Sequence, residues 1–415
     1  MNDGVSAPEV VYLHIGAMKT GTSYVQGNLD NSRTALADAG VLYPGRIGAA
    51  VHDVLGKRGG RHLGDKSGAW DRLAATVRDW DGPSAVLSME FLTLATTAQA
   101  ERIVESLHPA EVHVLLTARD LGRTIPSAWQ QTTKNRQTAS WPEFLVAITG
   151  ADETGERTRE QFWRHHDSAT IARTWCGVVG ADCLTVLTVP PRGTEPTVLW
   201  DRFCTAVGLD SVRFPVAESN AWNSSLGFAE AEMMRRLNLE LGRDLDQPTY
   251  RRLVTEFISG DVLRGAAEPT PPPTLPAVVH PWVDQRAREL VAELRALGIK
   301  VVGDLDELIP TGVDPDQRAA AGTEADPADV AAVAVRAVAA LVGRLAEVTA
   351  SEPEADGVPA SGAVDGRPGG GQATTEPDRE PAARLGTNRI GDPVRRSERR
   401  ARRRAARAAS PSENG

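Results

Sequence analysis

The hydrophobic positions of this chain follow two patterns, short continuous apolar runs and longer stretches in which apolar residues recur every three or four positions. The short runs are rich in β-branched residues and predict buried strands at residues 10–15, 84–88, 112–118 and 184–189. The longer stretches predict helices at residues 22–39, 69–79, 97–107, 161–179, 197–207, 226–241 and 281–297. Strands that alternate with helices are typical of a parallel sheet, so the pattern predicts an α/β fold with helices flanking the sheet.

The pattern changes near residue 310, which suggests three parts. Residues 1–310 have the periodicity of a folded domain, and residues 311–350 include an Ala-rich stretch that predicts a helical extension. Residues 351–415 are filled with Gly, Pro, Ser and charge, and we expect a disordered, Arg-rich tail. Its end, residues 394–409, carries eight arginines. Such a segment is either a solvated tail or an arm that contacts anionic surfaces such as lipid, polymer or nucleic acid.

Composition narrows the class of protein. The formal net charge of −9 over 415 residues makes nucleic-acid binding by the core an unfavourable interpretation, because phosphate contacts need basic surface. The three cysteines show neither CxxC nor zinc-type spacing and predict free thiols in a reducing compartment. The first residues lack the charge and apolar core of a secretory signal, and no apolar stretch is long enough to span a bilayer. We therefore expect a soluble, cytoplasmic protein.

The first predicted strand leads into a loop with the features of an anion site. Gly16 and Gly21 bracket the loop, and a helix follows, so backbone N–H groups and the helix N-terminus can face one ligand. Lys19 adds a full charge in a chain with only five lysines against 41 arginines, and Thr20, Thr22 and Ser23 add hydroxyls. The lysine precedes the second glycine, so the Walker pattern of ATP and GTP sites is not met.

Two further charged residues are predicted to reach the same place. Glu90 follows the strand at 84–88, and Arg119 follows the strand at 112–118. Ligands of parallel α/β sheets bind at the carboxyl ends of the strands, where the loop also lies. One crevice can therefore hold the loop, Glu90 and Arg119.

The string Lys19-Thr20-Gly21-Thr22-Ser23 after a strand resembles the 5′-phosphosulfate loop of sulfotransferases that use 3′-phosphoadenosine-5′-phosphosulfate (PAPS). Arg119, with Ser127 eight residues on, resembles the site at which that family binds the 3′-phosphate. The likeness extends through residues 112–144 and more faintly to about residue 310. It implies a P-loop NTPase-like sulfotransferase fold, PAPS as donor and 3′,5′-ADP (PAP) as product.

The resemblance also implies the catalytic roles. Lys19 is expected to neutralise the leaving phosphate, and Glu90 is expected to deprotonate the acceptor hydroxyl, with His52 as the reserve base. No carboxylate pair has the spacing to hold Mg²⁺ against the loop, so we expect no metal. The acceptor is expected to be a hydroxyl-bearing small molecule or glycan, or an amine, and neither its identity nor the oligomeric state can be read from the sequence.

Some parts of the family pattern are weak or missing. The basic segment R-K-G-x-x-G of cytosolic members is absent, which puts that part of the nucleotide site in doubt. The polar loop at residues 220–225 resembles a late loop over the nucleotide only faintly, and Asn223 and Ser224 are more typical of a helix cap. Trp129, Trp141 and Trp222 could stack on the donor, but at this spacing they indicate core packing.

Two other classes of function stay open. A Mg-ATP-dependent kinase of the P-loop type would bind ATP with Mg²⁺ and gain nothing from a 3′-phosphate. A non-catalytic nucleotide-binding module would bind without turnover and would be insensitive to Glu90→Gln.

Overall fold

The computed structural model describes residues 7–56, 68–151, 155–216, 226–264, 269–310 and 324–350. The predicted tail, the loop at residues 220–225 and its Trp222, Asn223 and Ser224 lie outside the described residues.

A parallel sheet of six strands forms the centre of the protein, in the order β2-β3-β1-β4-β5-β6. The strands are β1 (Val10–His14), β2 (Val41–Leu42), β3 (Ser84–Ser88), β4 (Glu111–Ala118), β5 (Leu184–Thr188) and β6 (Lys300–Val302). Each pairing is parallel, and β1 lies between β3 and β4, with His14 beside Ser88 and Leu115. The predicted α/β class with a parallel sheet is confirmed, and the four predicted strands are the four longest.

Helices connect the strands and cover both faces of the sheet. They are α1 (Thr22–Asn31), α2 (Arg33–Asp38), α3 (Gly48–Val54), α4 (Ala69–Arg78), α5 (Thr97–Ser106), α6 (Leu121–Lys134), α7 (Trp141–Thr149), α8 (Glu156–His166), α9 (Ser168–Val179), α10 (Val198–Ala206), α11 (Phe228–Leu241), α12 (Gln247–Tyr250), α13 (His280–Ala296) and α14 (Pro327–Ala350). A π-helical stretch, Arg251–Leu263, continues α12. A short 3₁₀ helix, Glu90–Leu94, follows β3 directly.

Two predicted helices are each split in the structure. The stretch 22–39 breaks at Ser32 into α1 and α2. The stretch 161–179 was predicted as one helix and is two, because Asp167 ends α8 and its carboxylate accepts a bond from the N–H of Thr170 at 2.9 Å, which caps α9.

The core lies in two layers because alternate residues of each strand face opposite sides of the sheet. Leu115 of β4 packs with α1, α2 and α10, whereas Val114 and Leu116 pack with the larger set of helices on the other face. Trp129 and Trp141 are both at most 1% exposed, and they belong to the larger layer, as core packing predicts. Helix α14 packs on α11 through a stripe that includes the buried Val330 and Val333.

Two further expectations can be compared with the described residues. All three cysteines are free thiols, with Cys204 buried and Cys176 and Cys183 half-buried. Within the described ranges, no helix combines the length and the apolar character that crossing a bilayer requires.

Candidate active site

The loop between β1 and α1 is tied to the neighbouring strand. The chain continues past His14 beside β4, and the N–H of Ala17 donates to the carbonyl of Thr117 at 3.0 Å. A Cβ at Gly16 would lie 2.5 Å from the hydroxyl oxygens of both Thr22 and Thr117, so only glycine fits there. The strand end therefore sets the position of the loop.

The turn itself uses two left-handed residues. Gly21 has a φ of 90°, and Lys19, which has a side chain, has a φ of 68°. A non-glycine residue in this region is a strained conformation that is found preferentially at ligand sites. Within the described part of the chain, the backbone N–H groups of residues 19–23 donate to no protein acceptor. The loop therefore presents a row of unused donors at the start of a helix, which favours an anion.

A buried polar network forms the floor of the loop. The hydroxyl of Thr20 donates to the carbonyl of Ala17 and lies 2.7 Å from the hydroxyl of Thr117, which lies 3.4 Å from Nε2 of His14. Nδ1 of His14 is 2.8 Å from the hydroxyl of Ser88, and burial lowers the pKa of His14 to about 3. Thr20 was predicted to offer its hydroxyl to the ligand, but that hydroxyl faces the fold, so only its backbone N–H is left for a ligand.

A cavity of about 700 Å³ opens above the loop at the carboxyl ends of the strands. Its lining includes all but one of the predicted site residues: Lys19, Gly21, Thr22, Ser23, Glu90, Arg119 and Ser127. The predicted convergence of the loop, Glu90 and Arg119 in one crevice is therefore present in the structure. A ligand in this cavity can reach both Lys19 and Arg119.

Arg119 lines the cavity, and no carboxylate of the described residues forms an ion pair with it. The neighbouring Asp120 pairs instead with Arg123, which it also caps at the start of α6. Nη1 of Arg119 donates to the carbonyl of Lys19 at 3.0 Å, and its Nε is buried without a partner. Burial lowers the pKa of Arg119 to about 10, so it remains a cation at neutral pH.

Three hydroxyl side chains, those of Thr22, Ser23 and Ser127, line the cavity beside Lys19 and Arg119. The Thr22 side chain is 4% exposed, and its oxygen has no hydrogen-bond partner in the described structure. Ser127 is buried in the wall formed by α6, and Ser23 is exposed at the mouth. A buried hydroxyl without a partner is unfavourable, which indicates that Thr22 is placed to bind a ligand.

Glu90 is a partly desolvated carboxylate directly beyond β3. Burial raises the pKa of Glu90, while its own backbone N–H and the charge of Lys19 oppose this rise. In turn, burial and the nearby Arg119 and Arg264 lower the pKa of Lys19, and Glu90 opposes that change. A carboxylate with a raised pKa at the edge of a cavity can accept a proton from a substrate.

The reserve base, His52, is not among the described residues that line the cavity. It lies on α3, and its ring centroid is 5.4 Å from that of Phe91, which does line the cavity. His52 therefore lies one side chain behind the wall, and the geometry favours Glu90 over His52 as the base.

Three site residues were missed by the sequence reasoning. Lys134, at the end of α6, is 6% exposed, and burial together with the charges of Arg264 and Lys19 lowers its pKa to about 7. Arg264 lines the cavity beyond the π-helical stretch. His166, at the end of α8, lines the cavity, and burial lowers its pKa to about 3. Lys134 could have been found, because the rarity of lysine that singled out Lys19 applies equally to it.

The charges around the cavity are unbalanced. Lys19, Arg119 and Arg264 line the cavity together with one described carboxylate, Glu90, and with Arg123, which pairs with Asp120. Lys134 is buried close enough for the charges of Arg264 and Lys19 to act on it. Several cations held together without matching acids repel each other, and a ligand with several negative charges relieves that repulsion.

Among the described residues, one group of three His, Cys or acidic side chains has metal-ligand spacing, and it lies away from the loop. Glu111, His113 and Cys183 have donor atoms within 4.8 Å of one another. They lie at the amino-terminal ends of β4 and β5, opposite to the cavity. The absence of a metal from the reaction stays a prediction.

A comparison with solved structures finds the crystal structure of a sulfotransferase from Alicyclobacillus acidocaldarius, with a TM-score of 0.35 and 16% identity. The match covers 60% of this chain and 100% of that chain. No family model matches the chain, and no curated protein matches it. At that TM-score the structural likeness carries no argument, so the proposal below depends on the geometry of the cavity.

Proposed function

We propose that this protein is a PAPS-dependent sulfotransferase that moves a sulfuryl group from PAPS to a hydroxyl of an acceptor. The observation that carries the proposal is that Lys19 and Arg119 line one cavity of about 700 Å³ together with unpaired donors. A donor with a phosphate group at each end would neutralise both cations at once. The resemblance of the loop and of the Arg119–Ser127 pair to the PAPS sites of sulfotransferases supports the choice of nucleotide.

The described residues fit such a donor. The free N–H groups of residues 19–23 and the Thr22 hydroxyl suit the oxygens of the 5′-phosphosulfate. The guanidinium of Arg119, with its unpaired Nε, and the hydroxyl of Ser127 suit the 3′-phosphate. PAPS, when bound, supplies an activated sulfuryl group on a phosphate that leaves with the bonding electron pair.

The protein's own groups then have separable tasks. Glu90 accepts the proton of the attacking hydroxyl, and its desolvation makes it a better base than a solvated carboxylate. The Lys19 ammonium stabilises the charge that develops on the leaving phosphate oxygen.

A thermal-shift comparison of four ligand conditions tests the choice of donor: 3′,5′-ADP, 5′-AMP, ATP with Mg²⁺, and no ligand. Ligands that bind only the folded state stabilise it by RT ln(1 + [L]/Kd), so at equal concentration the tighter ligand gives the larger rise in apparent Tm. We expect 3′,5′-ADP to give the largest rise, and Arg119→Lys to remove most of its advantage over 5′-AMP. A larger rise with ATP and Mg²⁺ would instead indicate the kinase class.

Turnover separates an enzyme from a binding module. We expect release of 3′,5′-ADP from PAPS in the presence of acceptor, and we expect Glu90→Gln to bind 3′,5′-ADP normally while losing this release. If the wild-type protein binds 3′,5′-ADP but transfers no sulfuryl group to any hydroxyl acceptor, the catalytic half of the proposal is wrong.

A further inference from the structure

The wall of the cavity that faces the loop has a distinct chemistry. It is built by the second half of α6, the residues directly after it, and α8. The amide wall is defined by six neutral side chains that line the cavity there: Gln131, Thr132, Asn135, Gln137, Thr158 and Gln161. Each can both donate and accept a hydrogen bond. His165 and His166, at the end of α8, line the same cavity.

The wall is not a slot for an aromatic ring. Two of the phenylalanines that line the cavity, Phe144 and Phe162, are only 1% and 4% exposed, so their faces are used in the core. Phe162 packs edge-on against Phe144 with ring centroids 5.9 Å apart. Phe91 is half-buried and is the aromatic side chain with the most surface left among the described lining residues.

Amides at a binding surface favour ligands that pair their hydrogen-bonding groups, and they disfavour ligands that cover those groups without pairing them. An acceptor with a single hydroxyl on a flat apolar ring would cover these amides without pairing them, and a polar group that is covered but unpaired disfavours binding. A molecule with many hydroxyls pairs them instead, and sites built to bind hydroxyls reject analogues that lack them. Gln131 is already aligned along the wall by a 3.3 Å bond from its Nε2 to Oδ1 of Asn135.

We propose that the acceptor is a polyhydroxylated molecule of the saccharide type, bound by the amide wall with one hydroxyl directed at Glu90. This inference rests on the proposed sulfotransferase function. In the transfer, the acceptor oxygen forms the new bond to sulfur, and the bond between sulfur and the bridging phosphate oxygen breaks. The hydroxyl proton goes to Glu90, and the electron pair stays on the phosphate beside Lys19.

The first experiment compares acceptor classes with the full-length protein and PAPS, with sulfated products detected by mass spectrometry. The saccharide probes are maltose and methyl glucoside, and the phenol probes are 2-naphthol and 4-nitrophenol at the same concentrations. We expect kcat/KM to be at least about tenfold higher for the better saccharide than for either phenol. Sulfation of the phenols without the saccharides overturns the inference.

Binding of 3′,5′-ADP in the same preparation separates the two proposals. If 3′,5′-ADP binds and neither saccharide is sulfated, the acceptor class is wrong while the choice of donor stands. If 3′,5′-ADP does not bind, the proposed function itself fails, and this inference fails with it.

A second experiment places the saccharide on the amide wall. Gln131→Leu keeps the size of the side chain and removes its hydrogen bonds, so we expect KM for maltose to rise about tenfold, which corresponds to about 1.4 kcal/mol, with KM for PAPS unchanged. The matched control is Gln285→Leu on α13, an exposed amide bonded to Glu289. Equal KM values for maltose in the two variants would show that maltose does not contact the wall.

Discussion

The two walls of the cavity differ in their secondary structure and in the charge of their side chains. The loop wall consists of strand ends, a strained lysine and unpaired donors, and it gathers the positive charge of Lys19 and Arg119. The amide wall consists of the surfaces of α6 and α8 and the residues directly after α6, and the six side chains that define it are neutral. The cations that can bind a charged ligand lie where the sheet fixes the backbone. The neutral hydrogen-bonding groups lie on side chains that can be substituted without disturbing the sheet. The variants below are ordered by the size of their expected effect on the two walls.

Lys19→Met should have the largest effect, because it removes the charge of the loop wall while keeping a side chain of similar length. We expect kcat for sulfuryl transfer to fall about 10³-fold, since a single group that stabilises developing charge is worth about that much. Steady-state release of 3′,5′-ADP measures this. Lys300→Met, on the exposed edge strand β6, is the control and should retain wild-type kcat. Equal activity of the two variants would remove Lys19 from catalysis.

Glu90→Gln tests whether Glu90, which lies between the two walls, is the general base. We expect kcat to fall about 100-fold, as for the loss of a general base, with KM for PAPS little changed. In the wild-type protein the pKa of Glu90 is raised by burial, so the ionised form, and with it kcat, should increase as pH rises through a pKa above 4.5. The variant should lose that rise, which a kcat profile between pH 4 and pH 8 would measure. Glu101→Gln on α5 should keep the wild-type profile, and a rise that survives in Glu90→Gln would identify another base.

Arg119→Lys keeps a positive charge on the loop wall but loses the planar fork. We expect KM for PAPS to rise about tenfold with a smaller change in kcat, because a guanidinium binds phosphate through two parallel bonds and an ammonium cannot. Initial rates across PAPS concentrations separate the two constants. The control variant Arg102→Lys, at an exposed position on α5, should leave KM for PAPS and kcat unchanged. A selective fall in kcat would place Arg119 at the transferring group instead of the 3′-phosphate.

Lys134→Met should have the smallest effect, on stability. The pKa of Lys134 is lowered in the folded protein to about 7, below its unfolded value, so the unfolded chain binds more protons between these values and stability rises with pH there. At pH 6 the charged lysine is buried beside other cations, and we expect its removal to raise the free energy of unfolding by about 1 kcal/mol. At pH 10 the gain should vanish. Urea unfolding at both pH values measures this, and a loss of stability at both would contradict it.

The loop wall could be predicted from the sequence because its residues are local or lie directly at strand ends. Lys19, Glu90 and Arg119 each follow an apolar run, and parallel strands bring their carboxyl ends to one edge. The orientation of the Thr20 hydroxyl could not be predicted, because it depends on Thr117, a residue nearly a hundred positions away that is brought close by pairing of β1 with β4.

The amide wall was not predicted, and the reason is physical. Its glutamines and threonines have neither unusual composition nor strand-end positions, and two of them lie on α8, which the sequence pattern joined to α9 as one long helix. The cap formed by Asp167 could have been noticed at the sequence level as an Asp before Ser-Ala-Thr. Arg264 reaches Lys19 through the packing of the π-helical stretch, which no local pattern indicates.

The hydrogen bond from Arg119 to the carbonyl of Lys19 links the two proposed phosphate contacts to each other. A ligand that pulls the guanidinium also shifts the peptide that carries the ammonium, so the ends of the donor cannot be sensed independently. In a double-mutant cycle, the losses of PAPS binding free energy in the Lys19 and Arg119 single variants should therefore add up to more than the loss in the double variant. If the proposed donor binds there, its two halves offered separately should bind less tightly than the intact nucleotide.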